Sequence, residues 1–242
     1  MRYGIFSDVH SNLEALNAVI NAYKKEKIDK YLCAGDIVGY GANLHECIAK
    51  IKSLVSASVA GNHDRCCAGL FSEKNFSLLA KQAVIWTKKV LAPQEKEYLE
   101  SLKLTYTNED LTLVHGSLDT PFDFNYIVNN YDAYETFRLL KTRVCFIGHT
   151  HARAVFSMDK NHVVYRLAKD LITLEPDKKY IINAGSVGQP RDGNPKASYC
   201  IYDTEKSLVE IKRVSYDARL AGRKIISAGL PHFLADRILS GI

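Results

Sequence analysis

Residues 2–10 read RYGIFSDVH, so a short apolar run is followed by an aspartate and a histidine two positions apart. Residues 30–36 read KYLCAGD, another apolar run that stops at a glycine and an aspartate. Short apolar runs bounded by turn residues are typical of buried strands. Residues two positions apart in an extended chain point the same way, so Asp8 and His10 can face one partner. These two stretches predict strands that end in metal-binding side chains.

Three further clusters continue this pattern along the chain. They place histidine, asparagine or aspartate just after other apolar runs, at Gly61-Asn62-His63-Asp64, His115-Gly116 and Gly148-His149-Thr150-His151. The five motifs together contain five of the eight histidines, where random use would scatter them. In open α/β sheets, ligands collect at the carboxyl ends of the strands. We therefore expect these side chains to converge on one site.

The periodicity of apolar residues predicts alternating strands and helices in the first half and mainly strands in the second. Strands are predicted at 2–6, 30–34, 54–60, 111–114, 143–147, 153–157, 163–167, 171–174, 180–183, 198–202 and 208–214. Helices are predicted at 12–23, 44–51, 71–101 with a break at Pro93, 131–141, and 217–239 with a break at Gly229 and Pro231.

This pattern predicts one α/β domain, with mixed sheets in an α+β arrangement, over residues 1–242. We expect two packed sheets with helices outside, and we find no repeat or linker in the sequence. The domain is expected to contain a helical insert at about 66–105, a strand-rich second half at about 153–214 and a C-terminal helical segment at about 216–240.

Composition narrows the class of protein. The formal net charge is +5, with 24% charged residues, which suits a small anionic substrate and does not indicate nucleic-acid binding. No run approaches the roughly 18 apolar residues that a membrane-spanning helix needs. The N-terminal residues lack the apolar stretch of a secretory signal, so we expect a soluble, cytoplasmic protein without membrane partners. The sequence gives no indication of the oligomeric state.

The clustered residue types suit a pair of divalent cations. Such a centre needs ions roughly 3.5–4 Å apart that share a bridge, and a carboxylate with two oxygens is a good bridge. Asp36 suits this role. Each residue alone has an ordinary explanation, since aspartates often cap turns and single histidines often lie on the surface. Their joint occurrence at strand ends favours a metal site formed by Asp8, His10, Asp36, Asn62, His115, His149 and His151.

The series D-x-H, G-D-x-x-G, G-N-H-D, H-G and G-H-T-H resembles that of the calcineurin-like metallophosphoesterase superfamily. The match spans residues 8–151, and every signature position is filled. Residues 183–193, NAGSVGQPRDG, together with Gly39-Tyr40-Gly41, are similar to a bacterial and archaeal branch of small phosphodiesterases and diadenosine tetraphosphatase-related hydrolases. The resemblance implies a four-layer αββα sandwich.

The resemblance also implies roles for individual residues. One metal would be held by Asp8, His10, Asp36 and His151, and the other by Asp36, Asn62, His115 and His149. His63 would face the substrate, as proton donor to the leaving group or as a stabiliser of the phosphoryl oxygens. Asp64 would orient His63. Mixed Asp, Asn and His ligation suits Mn, Fe, Zn, Co or Ni as the two divalent ions, with Mn²⁺ or iron favoured in the cell.

Substrate contacts are expected from two arginines near the motifs. Arg65 follows the third motif and Arg191 lies in the glycine-rich segment, and either guanidinium can clamp a phosphate. A surface ion pair is the alternative for Arg65, and a simple turn is the alternative for the glycine-rich segment. The aromatic residues Phe122, Phe124 and Tyr126 can stack on a nucleobase or simply pack, and the helical insert can roof the pocket.

The expected activity is hydrolysis of small phosphate compounds, as a metal-dependent phosphoric ester or anhydride hydrolase. Nucleotide-type phosphodiesters and dinucleoside polyphosphates are the leading substrates, attacked directly by a metal-bridging hydroxide with inversion at phosphorus. A protein Ser/Thr phosphatase on the same core is the alternative. A non-catalytic scaffold of this fold is a third hypothesis, but it predicts eroded ligands, and here every ligand position is retained.

Overall fold

The computed structural model describes the backbone of residues 1–242 and every side chain except that of Asn75. Strands alternate with helices in the first half, and strands dominate the second. In chain order the strands are β1 Arg2–Phe6, β2 Lys30–Cys33, β3 Ala57–Ser58, β4 Thr105–Thr107, β5 Thr112–Val114, β6 Val144–Ile147, β7 Ala154–Met158, β8 Val164–Leu167, β9 Leu171–Thr173, β10 Lys179–Asn183, β11 Ala197–Asp203 and β12 Leu208–Val214.

The helices cover the outer faces of these strands. In chain order they are α1 Leu13–Tyr23, α2 Leu44–Leu54, α3 Asn62–Ala68, α4 Leu78–Val90, α5 Pro93–Ser101, α6 Asn130–Leu139, α7 Ala218–Ser227 and α8 His232–Ser240, with a short 3-10 helix at Glu73–Asn75. The side chain of Asn12 accepts a hydrogen bond from the Ala15 amide and so caps the start of α1.

The strands form two six-stranded mixed sheets. The first has the order β3-β2-β1-β11-β12-β9, and the second has the order β4-β5-β6-β10-β7-β8. The strands β3, β2 and β1 are parallel to one another, as are β5, β6 and β10. Because parallel strands end at the same edge of a sheet, the loops that follow them gather at one end of the molecule.

The core between the two sheets follows from alternation along each strand. Ile5 packs between the sheets, whereas the next residue, Phe6, packs against α1 and α2 on the outer face. In the second sheet Phe146 points into the same inter-sheet core, and Ile147 packs against α6. Full burial of each such side chain contributes about 1.5–3 kcal/mol. The resulting helix–sheet–sheet–helix layers confirm the predicted αββα sandwich.

The largest departures from the predicted elements lie between residues 54 and 107. The predicted third strand shrinks to two residues. The Val59 amide still donates to the Cys33 carbonyl of β2 at 3.0 Å, but Val59 forms an isolated bridge with Lys103, and the Ala60 amide donates to the Lys103 carbonyl at 2.8 Å. The residues after it start a helix, α3, that the sequence analysis did not predict, and the edge strand β4 was also missed. Pro93 does separate two helices, and it occupies the first turn of α5, where its missing N–H costs nothing.

None of the helices that the structure describes is both long enough and apolar enough to cross a lipid bilayer.

Candidate metal centre

The loops after the parallel strands hold the predicted ligands in an uncommon backbone conformation. Five of these residues have a positive φ, between 47° and 69°: Asp8, His10, Asp36, His149 and His151. Residues other than glycine rarely adopt this region, and each instance costs about 1–3 kcal/mol. The loops also bond to one another, since the His10 amide donates to the Asp36 carbonyl at 3.0 Å. The hydrogen bonds between the loops stabilise this unfavourable backbone conformation, in which the side chains face the site.

One group of ligands combines the first, second and fifth motifs. Nitrogen or oxygen atoms of Asp8, His10, Asp36 and His151 lie within 4.8 Å of one another, and all four residues are buried. The Nε2 atoms of His10 and His151 are only 3.1 Å apart. His10 Nε2 lies 3.4 Å from Asp36 Oδ2, and His151 Nε2 lies 3.4 Å from Asp8 Oδ1. This geometry can enclose one cation.

A second group lies on the other side of Asp36. It contains Asp36, His115 and His149, again within 4.8 Å of one another and buried. His115 Nε2 lies 3.3 Å from Asp36 Oδ2 but has no hydrogen-bond partner among the described side chains, and neither does the buried Oδ1 of Asn62. Buried polar atoms are nearly always paired, so these two orphaned atoms indicate a ligand. Asp36 is the one residue that belongs to both groups.

Backbone carbonyls fix the tautomers of three of these histidines. A carbonyl oxygen can only accept a hydrogen bond, so a ring nitrogen facing it must carry the proton. When such a ring is neutral, it presents an Nε2 lone pair to the site, as a metal ligand requires. The three contacts run from His10 Nδ1 to Val38 O at 2.9 Å, from His115 Nδ1 to Ala34 O at 2.7 Å, and from His151 Nδ1 to Gln189 O at 2.7 Å. This donor set fits divalent cations.

The electrostatics of the cluster fit the same interpretation. Burial, together with the neighbouring Asp36 charge, raises the pKa of Asp8 to about 7. Burial alone would raise the pKa of Asp36 as well, but neighbouring positive charge, chiefly that of His115, outweighs it and holds that pKa well below its usual range. Burial would lower the pKa of His115, yet the Asp36 charge raises it to about 9. Two buried carboxylates therefore need positive charge beside them, which cations would supply.

His63 belongs to the same site without belonging to either ligand group. It lies in the first turn of α3, and its ring contacts those of His10 and Phe76, each with centroids 4.9 Å apart. Together with Asp36 and His149, the His63 ring lines a cavity of about 380 Å³. Burial lowers the pKa of His63 to about 4, so the ring is neutral at pH 7.

Asp64 does not orient His63, and this part of the prediction is wrong. One carboxylate oxygen accepts hydrogen bonds from the amides of Ile37 and Val38 at 2.9 and 3.1 Å, and the other accepts from the Gly61 amide at 3.1 Å. No hydrogen bond among the described residues joins Asp64 to His63, whose buried Nδ1 has no partner. Both carboxylate oxygens of Asp64 therefore accept backbone hydrogen bonds, one at the start of α3 and the other from the residues that follow Asp36. We infer that Asp64 positions the turn that carries Asp36.

Only one of the two predicted arginines lies at the cavity. Arg191 lines the cavity, whereas the Arg65 guanidinium lies over the Phe122 ring, 5.7 Å from its centroid, and is not part of the cavity lining among the described side chains. The structure adds Arg237 from α8, which the sequence analysis missed. No motif surrounds this residue, and only the packing of α8 brings it to the site.

The aromatic residues after His115 also differ in position. Tyr126 lines the cavity and stacks on His149, with ring centroids 4.0 Å apart and planes 6° apart. Phe124 is buried and Phe122 is exposed on the outside. The helical insert contributes Phe76, Ser77 and Ala80 to the cavity wall, as expected of a roof.

The closeness of the third motif to Asp36 predicts a sensitive position at Gly61. A Cβ atom there would lie 2.0 Å from Asp36 Oδ1, which is much shorter than a van der Waals contact and would be a clash. We therefore expect Gly61→Ala to destabilise the fold by about 1–3 kcal/mol and to lower metal content. Thermal unfolding and elemental analysis measure both effects. Gly222→Ala is the matched control, because a Cβ in that helix meets only an ordinary contact at 3.4 Å. Equal metal content in the two variants would contradict the expectation.

Comparison with known proteins agrees with this geometry. Residues 1–207 match the calcineurin-like phosphoesterase superfamily domain. A relative from Methanocaldococcus jannaschii, named as an uncharacterized protein, is 41% identical over 243 residues, covering 98% of this chain and 97% of that protein. A metallophosphoesterase from Sphaerobacter thermophilus is 36% identical with a TM-score of 0.86, covering 100% of this chain and 99% of that one. A candidate diadenosine tetraphosphatase shares the fold alone, at 14% identity, a TM-score of 0.54, and 88% and 94% coverage.

The fold and the buried Asp/His groups define a metal-dependent phosphoesterase, a hydrolase of phosphoric esters or anhydrides. The chain belongs to the calcineurin-like phosphoesterase superfamily, which confirms the resemblance carried by its five motifs.

Proposed function

We propose that this protein is a dinuclear-metal phosphoesterase that hydrolyses small phosphate compounds, either nucleotide-type phosphodiesters or dinucleoside polyphosphates. The observation that carries the proposal is the position of Asp36, which belongs to both ligand groups and can bridge two ions. Asp8, His10 and His151 would complete one ion's shell, and Asn62, His115 and His149 the other's. We further propose Mn²⁺ or iron as the ions and the cytoplasm as the location.

When bound, the two cations would lower the pKa of water and neutralise the charge of the phosphate oxygens. The chain's own groups do the rest. The neutral His63 ring donates one N–H to a phosphoryl oxygen or to the leaving oxygen, and the buried cavity strengthens that hydrogen bond by excluding water. Arg191 faces the same space and adds positive charge. Water attacks phosphorus directly in this scheme, so no protein nucleophile is required.

Two observations weigh against the alternative functions. The insert side chains Phe76, Ser77 and Ala80 cover part of the cavity, which suits a small molecule better than the phosphorylated loop of a protein. A non-catalytic scaffold would have no reason to keep strained ligand loops, and here the ligands converge with their tautomers fixed. A small-molecule hydrolase remains the proposal that uses every feature of the site.

A substrate panel tests the proposal. The Mn²⁺-loaded protein is assayed against aryl phosphate esters, cyclic nucleotides, dinucleoside polyphosphates and phosphopeptides, and kcat/KM values are compared. We expect the highest values for the nucleotide-type compounds, and no turnover after the metal is removed. Preference for phosphopeptides would favour the protein phosphatase instead. Full metal loading without hydrolysis of any compound would favour the scaffold.

A further inference from the structure

Two guanidinium groups of the cavity wall meet at one neutral oxygen. Arg191 donates from Nη2 and Nε to Gln189 Oε1, at 2.7 and 3.2 Å. Arg237 donates from Nη1 to the same oxygen at 3.5 Å. The first arginine comes from the loop after β10 and the second from α8, so tertiary packing brings them together. A single amide oxygen is a weak acceptor for two cations.

No carboxylate of the described side chains balances the charge of these two arginines. Among the ion pairs of the described residues, neither Arg191 nor Arg237 has an acidic partner within 4.0 Å, whereas Arg2 has two and Arg153 and Arg213 have one each. Burial and the charge of Arg191 lower the pKa of Arg237, and the buried Nε of Arg237 has no acceptor in the part of the chain that the structure describes. Two uncompensated like charges with unused donors form a site for an anion.

Hydrogen bonds to His151 connect this arginine pair to the candidate metal centre. The Gln189 carbonyl accepts the Nδ1 proton of His151 at 2.7 Å, and the Arg191 amide donates to the His151 carbonyl at 3.0 Å. The Arg191 guanidinium lies 5.5 Å from the centroid of the Tyr40 ring, which in turn contacts the ring of His63. The pair therefore shares one cavity with Asp36 and His151, at a fixed position beside them.

We propose that Arg191 and Arg237 bind a second phosphate of the substrate, next to the phosphate at the metal centre. This inference rests on the proposed function and narrows it to phosphoanhydrides, of which dinucleoside polyphosphates are one example. A simple phosphodiester carries a single phosphate and would leave the pair without an anion. Planar guanidinium groups match phosphate oxygens bidentately, which makes two of them a selective subsite.

The two arginines would also stabilise the phosphate that leaves in the bond-breaking step. Water forms a new P–O bond at the phosphorus of the metal-centre phosphate, while the P–O–P bridge on the opposite side breaks. The departing phosphate keeps the electron pair of that bond as negative charge, which the two guanidinium groups neutralise. The protons of the attacking water pass to solvent. The reaction needs no reagent other than water.

Binding of two non-hydrolysable probes to the Mn²⁺-loaded protein tests the subsite. Methylenediphosphonate carries two phosphoryl groups, methylphosphonate carries one, and calorimetry gives both Kd values. We expect Arg237→Met to weaken methylenediphosphonate binding on the order of 10- to 100-fold, the worth of a charged hydrogen bond, and to weaken methylphosphonate binding less than about 3-fold. Arg223→Met is the matched control, because Arg223 is exposed on the neighbouring helix α7, and both Kd values should stay within about 2-fold.

A second variant separates a loss of phosphate binding from a loss of folding. Arg237→Lys keeps the charge but loses the planar fork, so its methylenediphosphonate Kd should lie between those of wild type and Arg237→Met. Equal weakening of both probes, or no weakening of either, would overturn the subsite. Failure of the proposed function appears separately, as the absence of hydrolysis of every phosphate compound by the wild-type protein.

Discussion

Asp36→Ala is expected to lose both ions and to reduce kcat/KM by more than about 10³-fold. Asp36 is the only residue shared by the two ligand groups, and its carboxylate lies 3.4 Å from His10 Nε2 and 3.3 Å from His115 Nε2. Removing it deletes one ligand from each shell and takes away the carboxylate nearest to His10 and His115. Each ion supplies several kcal/mol of transition-state stabilisation, and about 4 kcal/mol corresponds to 10³-fold in rate.

Elemental analysis of the purified variant, together with steady-state kinetics, measures the two effects. Asp123→Ala is a suitable control, because Asp123 is exposed in a loop and its side chain has no hydrogen-bond partner among the described residues. Asp36→Asn is a milder test, since an amide oxygen can still accept from the His63 amide, which donates to Asp36 Oδ1 at 2.9 Å in the wild type. Unchanged metal content in Asp36→Ala would show that the bridging assignment is wrong.

His63→Ala should separate catalysis from metal binding. The ring lies in the cavity but in neither ligand group, so both ions should remain bound. We expect kcat to fall by roughly 10²–10⁴-fold, the range for losing a positioned hydrogen-bond donor to the phosphoryl or leaving oxygen. KM should change little, because the hydrogen bond strengthens mainly in the transition state.

The same two assays distinguish this result from a structural effect. His232→Ala removes a surface histidine at the start of α8 and should leave kcat and metal content unchanged. Loss of metal from His63→Ala would mean that His63 supports the ligand loops and does not act on the substrate. A small loss of kcat with intact metals would assign the hydrogen bond to the phosphoryl oxygen to another residue.

Much of the fold could be predicted because its signals are local. Apolar runs such as 2–6 and 143–147 alternate with amphipathic stretches, and the structure places strands there to within one residue. Glycine and proline at 229 and 231 correctly predicted the break between α7 and α8. The element from 54 to 60 was predicted poorly, since its length depends on the pairing of Val59 with the distant Lys103 and on the hydrogen bond from the Ala60 amide to the Lys103 carbonyl.

For the site, the sequence by itself determined which side chains follow parallel strands, namely the Asp, Asn and His residues of the five motifs. Their convergence follows from topology, because parallel strands end at one edge. The tertiary structure alone decided the contacts that cross the chain: Asp64 on the amides of Ile37 and Val38, and Arg237 beside Arg191. Apolar periodicity and turn-forming residues depend only on neighbours in the sequence, whereas these contacts depend on how whole helices and loops pack.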